Sequence, residues 1–225
     1  MSNLSMHFGH LLGMKKPGPA ERTDDTAGTP KALPVAWEHM ERVILDPEGD
    51  AGERDAVKRT LSDALGTTAM ALNHYRIATG EGLPGGLHTH ADQEEVFVVL
   101  DGEATFETLS GEVTVASGEA VRFAPGEFQS GRNGGDIELA VLALGAPRDT
   151  RDIRIPFECP DCWDDELRFG PNGRFVCPDC DGEHTPAPCP DCGSEDLEGT
   201  VGEEGSPVVV CRECEATFDR PPLAE

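Results

Sequence analysis

The sequence is poor in positive charge. Lysine and arginine together number 18 against 43 aspartates and glutamates, which leaves a formal net charge of −25, and only four of the basic residues are lysines. Affinity for nucleic acid comes largely from lysine and arginine contacts to phosphate, and anionic membrane surfaces attract the same residues. The composition therefore excludes nucleic acid and the membrane surface as partners.

Long apolar runs are also missing. No stretch approaches the roughly 20 apolar residues that a membrane-spanning helix needs. The N-terminal LSMHFGHLLGM is short, and its lysines follow the apolar part instead of preceding it, so it does not fit a signal peptide. The sequence thus offers neither a membrane span nor a secretion signal.

The acidic excess is best tolerated where salt screens charge over about 3 Å, as it does at 1 M. We therefore expect a protein of a halophile, with an ordinary acidic cytosolic protein as the alternative. All eight cysteines fall in CxxC pairs, which indicates reduced, metal-binding thiolates. Both features predict a cytoplasmic location.

Changes in amino-acid composition along the sequence divide the chain into three parts. Residues 1–34 are predicted to be a flexible N-terminal segment, because 15–34 are rich in Pro, Gly, Thr and charge. Residues 35–147 hold short β-type runs broken by glycine, which indicates an antiparallel sandwich or barrel, preceded by a helix predicted over 55–65. A linker is expected over 145–156, and a small cysteine-rich domain over 157–225.

The stretch GGLHTHADQEEVF, residues 85–97, carries a candidate metal site. His88 and His90 share one face of a strand, since side chains two positions apart point the same way. Glu95 has the wrong parity for one straight strand, so the chain must bend between Ala91 and Glu94. Two imidazoles and a carboxylate form the facial triad that suits Fe(II) and also accommodates Mn, Ni, Co or Zn. Taken alone, the HxH pair is weak evidence, and ordinary surface histidines are the more common explanation.

The surrounding spacing resembles the two sequence motifs of the cupin superfamily, and the type suspected is a small, single-domain, haloarchaeal-type cupin. The resemblance covers about residues 68–145 and implies a six-to-eight-stranded jelly-roll β-barrel that holds a divalent transition metal and commonly forms homo-oligomers. By this resemblance His88, His90 and Glu95 are metal ligands, and Gln129 occupies the fourth position. Ala124 and Gln129 stand where the family has proline and histidine. The matching positions are Gly82, His88, His90, Glu95 and Gly102 in the first motif, and Gly118, Ala124, Pro125, Gly126, Gln129 and Asn133 in the second.

The glutamine leaves three alternatives open. Gln129 ligates weakly through its carbonyl oxygen, or it hydrogen-bonds a metal-bound molecule, or the site has lost its metal. His74 is a candidate substitute imidazole. Tyr75 and Arg122 are candidates for the ligand pocket, and Arg76 and Glu127 are further candidates for acid or base groups.

The cysteine pairs predict two tetrahedral zinc sites, because each CxxC turn presents two thiolates and two turns complete an S4 set. We expect the first pair to join the second and the third to join the fourth, as two tandem zinc ribbons with a structural Zn each; an interlaced pairing and disulfide loops are the alternatives. His184 lies between pairs, although no cysteine is missing. The eight residues are Cys159, Cys162, Cys177, Cys180, Cys189, Cys192, Cys211 and Cys214.

These observations predict a mainly β protein: a cupin-type jelly-roll β-barrel followed by a small zinc-ribbon domain. The first functional hypothesis is a cytosolic metal-binding cupin that takes a small molecule in its barrel, with accessory structural ribbons. The second is a metal-dependent dioxygenase or sugar-type isomerase. The third is a non-catalytic scaffold or sensor whose ribbons dock a protein partner, since the tail from residue 157 is too acidic for nucleic acid.

Overall fold

The computed structural model describes residues 42–44, 57–203 and 205–224. Within these ranges the protein is mainly β, with one short α-helix and four antiparallel sheets. The segment 1–34, predicted to be flexible, lies outside the described residues. No helix in the described part of the chain is long and apolar enough to cross a membrane.

Two of the sheets face each other in the first part of the chain. The large sheet has six strands in the order β1-β2-β3-β10-β5-β8, and the small sheet has three in the order β7-β6-β9. The large-sheet strands are β1 (Arg42–Ile44), β2 (Val57–Thr60), β3 (Ala71–Ile77), β5 (Glu94–Asp101), β8 (Ala120–Phe123) and β10 (Leu139–Ala146). The small-sheet strands are β6 (Glu103–Thr108), β7 (Gly111–Ala116) and β9 (Ser130–Asn133).

An apolar core fills the space between these two sheets. Alternate residues of each strand point inward, which places Phe97, Phe106 and Phe123 in one cluster with ring centroids 4.9 to 6.0 Å apart. Phe97 and Phe123 belong to the large sheet and Phe106 to the small sheet. Contacts across the sheets therefore hold the sandwich together.

The helix predicted over 55–65 is only partly correct. Helix α1 spans Leu61–Leu65 and ends at Gly66, which adopts a left-handed φ of 67°. The preceding Val57–Thr60 is strand β2, paired with both β1 and β3. Two backbone ladders outweigh the helical spacing of a few apolar residues, because local propensity is weak compared with tertiary pairing.

The C-terminal part adds two more sheets. One runs β14-β13-β12-β11-β4 and the other β15-β16-β17. A single apolar cluster, which includes Phe157, Phe175, Leu197 and Val209, packs between them. The strands are β4 (Thr89–His90), β11 (Ile153–Ile155), β12 (Leu167–Phe169), β13 (Phe175–Val176), β14 (Glu183–His184), β15 (Leu197–Val201), β16 (Pro207–Cys211) and β17 (Thr217–Phe218), with one 3-10 turn at Pro171–Gly173.

The segment expected to be a linker contains a strand instead. Strand β11, inside the predicted linker 145–156, pairs with β12 on one side and with β4 on the other. Strand β4 carries His90, so one strand of the candidate metal site belongs to the sheet of the cysteine-rich tail. The connection between the two parts is thus ordered and hydrogen-bonded.

Candidate metal centres

The segment from Leu87 to Ala91 is bonded to the barrel along one edge. The His88 N–H donates to the Gln129 carbonyl at 3.1 Å, and the Gln129 N–H donates back to the His88 carbonyl at 2.9 Å. The His90 carbonyl accepts from Gly126 N at 3.1 Å. Both histidines are therefore fixed through their own backbones to the strand region around Gln129.

The opposite edge of the same segment is bonded to the tail and to the connection that leads into it. Leu87 N–H donates to Gly199 O at 2.7 Å, and Ala91 N–H donates to Asp152 O at 2.7 Å. Between them Thr89 lies opposite Arg154 in the β4–β11 ladder. Alternate backbone groups of a strand point to opposite edges, so even-numbered residues bond the barrel and odd-numbered residues bond the tail.

A turn brings Glu95 to the histidines. Strand β4 ends at His90 and β5 begins at Glu94, so residues 91–93 form the bend that the parity of Glu95 requires. The Gln93 side chain fixes this bend by donating to Pro147 O at 2.6 Å. Gly145 leaves room for it, because a Cβ there would stand 2.7 Å from the Gln93 side chain.

Three donor groups converge beside the turn between β4 and β5. One ligand atom from each of His88, His90 and Glu95 lies within 4.8 Å of the other two, and His90 Nε2 is 3.5 Å from Glu95 Oε1. The His88 Nδ1–H donates a hydrogen bond to the Gly86 carbonyl at 2.9 Å, so Nε2 is the nitrogen with the free lone pair. The two imidazoles are 95% and 93% buried.

Burial sets the charge of this site. Desolvation lowers the pKa of His88, and it lowers that of His90 to about 3 with a further contribution from neighbouring His88. Both rings are therefore neutral at physiological pH. Desolvation raises the pKa of Glu95 to about 7, against a lowering effect of the Gln129 hydrogen bond. A cation placed beside this carboxyl group would stabilise its ionised form.

The residues fit a divalent metal ion. Neutral imidazoles and one carboxylate are ligand types that divalent transition metals accept. The sequence motif and the geometry therefore agree on the same three residues as the donor set.

Gln129 is brought to this set and directed at the carboxylate. It is 96% buried, and its amide Nε2 donates to Glu95 Oε2 at 3.2 Å. This contact is a fourth possibility that the sequence did not raise, in which Gln129 orients the Glu95 carboxylate, and it leaves the three earlier alternatives untested.

The pocket candidates separate into two groups. Tyr75 faces the core of the barrel, and burial, followed by the Glu95 charge, raises the pKa of its phenol. Arg122 does not join the site. Its neighbour Phe123 points inward opposite Glu95, which leaves Arg122 on the outer face, 56% exposed and paired with Glu94. His74 follows the same rule, since it precedes the inward-facing Tyr75 and points to the other side of the large sheet.

Sequence reasoning missed Lys58. This residue lies opposite Tyr75 in the β2–β3 ladder, and its Nζ stands 5.8 Å from the centroid of the tyrosine ring. Burial lowers the pKa of its ammonium group, against the opposing charge of Asp63. Because a helix was predicted over residues 55–65, the alternation of a strand, which directs Lys58 to the same side as Tyr75, was not considered.

Residues 73–145 match the family model of the cupin domain. This part of the chain is therefore similar to cupin domains. An oxalate-binding protein of Thermotoga maritima is 26% identical to the chain over 101 residues, which are 45% of this chain and 82% of that protein.

The chain is also similar to two solved structures. A sugar phosphate isomerase of the cupin superfamily from Silicibacter pomeroyi is 21% identical, with 64% of this chain and 90% of that chain covered and a TM-score of 0.47. A polyketide cyclase of Streptomyces resistomycificus is 20% identical, with 59% and 90% covered and a TM-score of 0.46.

The tail beyond the cupin domain gathers its cysteines into two clusters. All eight are free thiols. The first cluster joins the first and second pairs, and the second cluster joins the third and fourth, so the interlaced arrangement is absent. Sulfur-to-sulfur distances of 3.5 to 3.8 Å recur in both: Cys159–Cys180, Cys162–Cys177, Cys189–Cys214 and Cys192–Cys211.

All four CxxC turns have one backbone conformation. In each turn the carbonyl of the first cysteine accepts from the N–H four residues later, at 2.8 to 3.1 Å. That later residue is left-handed in every case, with φ between 58° and 80°. Only one of the four is glycine, so the others carry a strain of roughly 1 kcal/mol each. The left-handed residues are Trp163, Asp181, Gly193 and Glu215.

Proposed function

We propose that this protein is a metal-binding cupin that takes a small, oxygen-rich anion in its barrel, and that its tail forms two zinc ribbons. The domains are assigned as 35–147 for the jelly-roll barrel and 157–225 for the ribbons. The observation that carries the proposal is the convergence of His88, His90 and Glu95 within 4.8 Å. A divalent ion there would supply positive charge and open coordination positions for a ligand oxygen.

The charge of the pocket supports an anionic ligand. Lys58 is the basic side chain that the fold turns toward Tyr75, inside an otherwise strongly acidic protein. The similarity to an oxalate-binding protein favours a short dicarboxylate, and oxalate is the probe of choice. A carboxylate ligand would be held by the metal at one end and approached by the Lys58 ammonium at the other.

The tail is assigned two structural zinc ions. Four thiolates at 3.5 to 3.8 Å spacing form the S4 set that zinc accepts. Metal chelation also accounts for three non-glycine residues in left-handed turns, because zinc contributes an apparent ~10–16 kcal/mol to folding of such modules. Without metal, a unit with so small a core would be marginal.

We assign the tail a positioning role at the cupin site. The connection that leads into the first ribbon contributes β11, which pairs with the histidine strand and with β12 of that ribbon, and the second ribbon contributes Gly199, which accepts from Leu87. The turn before Glu95 is bonded to the same connection, since Asp92 accepts from the Thr150 hydroxyl at 2.6 Å and from Arg151 N at 2.9 Å. The ribbons thus hold the ligand-bearing segment from outside the barrel.

The high negative charge and the eight free thiols support a reducing, salt-rich cytoplasm as the working environment. Thermal unfolding in rising KCl tests the salt part of this assignment. We expect the melting temperature to rise from low salt to molar salt. A melting temperature that is independent of salt would contradict it.

Elemental analysis of the full-length protein tests the metal assignments. We expect two zinc ions in the ribbons and one further divalent ion in the barrel, and we expect His88→Ala to lose only the barrel ion. His74→Ala is the matched control, because it removes a buried histidine that faces away from the site. Barrel metal that survives His88→Ala, or is never present, would overturn the metal-centred function.

Calorimetric titration with oxalate tests the ligand class. Binding should require the barrel metal and weaken in Lys58→Met, which removes the charge but keeps a long apolar stem. Equal affinity in the His88→Ala protein would refute a metal-held ligand. Product analysis of oxalate and sugar phosphates after incubation, together with oxygen uptake, separates binding from turnover.

A further inference from the structure

A fifth donor group stands beside the first cysteine cluster. His184 Nε2 is 3.6 Å from Cys159 Sγ, which is as close as Cys180 Sγ comes to the same sulfur at 3.8 Å. The His184 side chain is only 11% exposed, and its Nε2 lies 3.8 Å from Asp161 Oδ2. This imidazole therefore occupies a position at ligand-to-ligand spacing from a zinc-binding thiolate.

The space next to Cys180 is kept clear for this group. A Cβ built on Gly182 would stand 2.7 Å from Asp161 Oδ2, 3.2 Å from Cys180 Sγ and 3.3 Å from His184 Nε2. Three donor atoms thus surround one point that only a glycine leaves open. Strand β14 fixes the histidine there, because His184 pairs with Phe175 two residues before Cys177.

The second ribbon has the same backbone without this donor. Cys211 N donates to Ala216 O just as Cys177 N donates to Gly182 O, so Ala216 is the counterpart of Gly182. Phe218 pairs with Val209, two residues before Cys211, and is the counterpart of His184. Among the described residues the second cluster contains four cysteines and no histidine. The two ribbons therefore differ at this position, which is His184 in the first ribbon and Phe218 in the second.

We propose that His184 is a reserve zinc ligand of the first ribbon, which replaces Cys180 when that thiolate is lost. This inference rests on the proposal that the ribbons bind zinc. Cys180 is exposed, whereas Cys159 and Cys177 are buried, so it is more accessible to reagents than these two. Three thiolates and one imidazole form an established zinc donor set. The first ribbon consequently keeps its ion through a loss that empties the second.

Matched serine variants of the full-length protein test this. Cys180→Ser should remain folded and retain both ribbon zinc ions, whereas the equivalent Cys214→Ser should lose one. Adding His184→Phe to Cys180→Ser should remove the retained ion. His184→Phe alone should keep both, because phenylalanine already occupies this position in the second ribbon. Long-range ¹H–¹⁵N NMR of the Cys180→Ser protein should show the His184 imidazole bound to metal.

Loss of zinc or of fold in Cys180→Ser overturns the proposal, as does a metal-free imidazole in that variant. A gain of function provides the converse test: Ala216→Gly with Phe218→His, added to Cys214→Ser, should restore the missing zinc, and failure to do so contradicts the inference. A wild-type protein that contains no ribbon zinc would refute the proposed function itself, so the two failures are distinguishable.

Discussion

His88 and Gln129 face each other across two backbone hydrogen bonds, of 3.1 and 2.9 Å, and their side chains share one face of the pair. Gln129 stands where cupins carry a histidine, and its amide donates to Glu95. By the resemblance to cupins, an amide therefore stands at the position of the fourth ligand, which is an imidazole in that family.

Restoring the imidazole should strengthen metal binding. We expect Gln129→His to raise the affinity for a divalent transition metal at least tenfold, which corresponds to about 1.4 kcal/mol, because imidazole is a better ligand than a neutral amide. Chelator competition measures the change. Gln129→Met is the control of similar size, and it should weaken binding because Glu95 loses a hydrogen bond. An unchanged affinity in Gln129→His would place residue 129 outside the ligand sphere.

Metal binding in the barrel should depend on pH through Glu95. Burial raises the pKa of Glu95 to about 7, while the pKa values of His88 and His90 are lowered. Between pH 5.5 and 8 the proton that competes with the metal ion is therefore the one on the Glu95 carboxylate. Affinity should fall roughly tenfold per unit as the pH drops below about 7, and flatten above it. Competition titrations at stepped pH measure this slope, and a flat profile below pH 7 would contradict the assignment.

The pH dependence of stability should contain a contribution from His74. Burial, reinforced by Arg59 and Arg76, lowers the pKa of His74 from 6.5 to about 4. Between these values the unfolded state binds a proton that the folded state rejects, so the contribution destabilises the fold as the pH falls from 6.5 toward 4. In His74→Gln this loss in the free energy of unfolding should shrink by about 2–3 kcal/mol. Parallel denaturation curves at pH 7.5 and 4.5 test the difference.

Contact between barrel and tail should control the histidine segment. A Cβ on Gly86 would stand 2.9 Å from the Gly199 carbonyl and 3.1 Å from Glu198 Cγ, with φ at +57°. Gly86→Ala should cost about 2–3 kcal/mol, speed amide exchange at Leu87, and weaken barrel metal binding although no ligand is altered. Gly80→Ala is the control, because Gly80 has φ at +80° with nothing within 4 Å. Equal effects of the two substitutions would refute a positioning contact.

The parts of this structure that follow from short-range pattern were predictable. The strands from β5 to β8 and β10 have alternating apolar residues and glycine turns, and both cysteine clusters follow from CxxC spacing. The cupin-like motif also placed the third donor at Glu95, and the structure shows the neighbouring Glu94 on the outer face with Arg122.

The relationships between distant segments were not predictable. Strands β4 and β11 have two and three residues, which is too short for an alternating apolar pattern to be visible. They pair with each other although they lie about sixty residues apart in the sequence. Strand β9 contains serine, glycine, arginine and asparagine and lacks an apolar signal. Arg122 was misplaced although the sequence offered a clue, since its neighbour Phe123 is the residue that must face the core.

The odd-numbered edge of the histidine strand has a consequence for how the protein matures. A ribosome releases the cupin domain first, and at that moment Leu87, Thr89 and Ala91 have no tail groups to bond, because Asp152, Arg154 and Gly199 are still to be synthesised. The segments that are synthesised last are therefore the ones that bond the free edge of the histidine strand. We expect a chain that ends at residue 147 to show a formed core between its two sheets and unprotected backbone groups in the segment from Leu87 to Ala91.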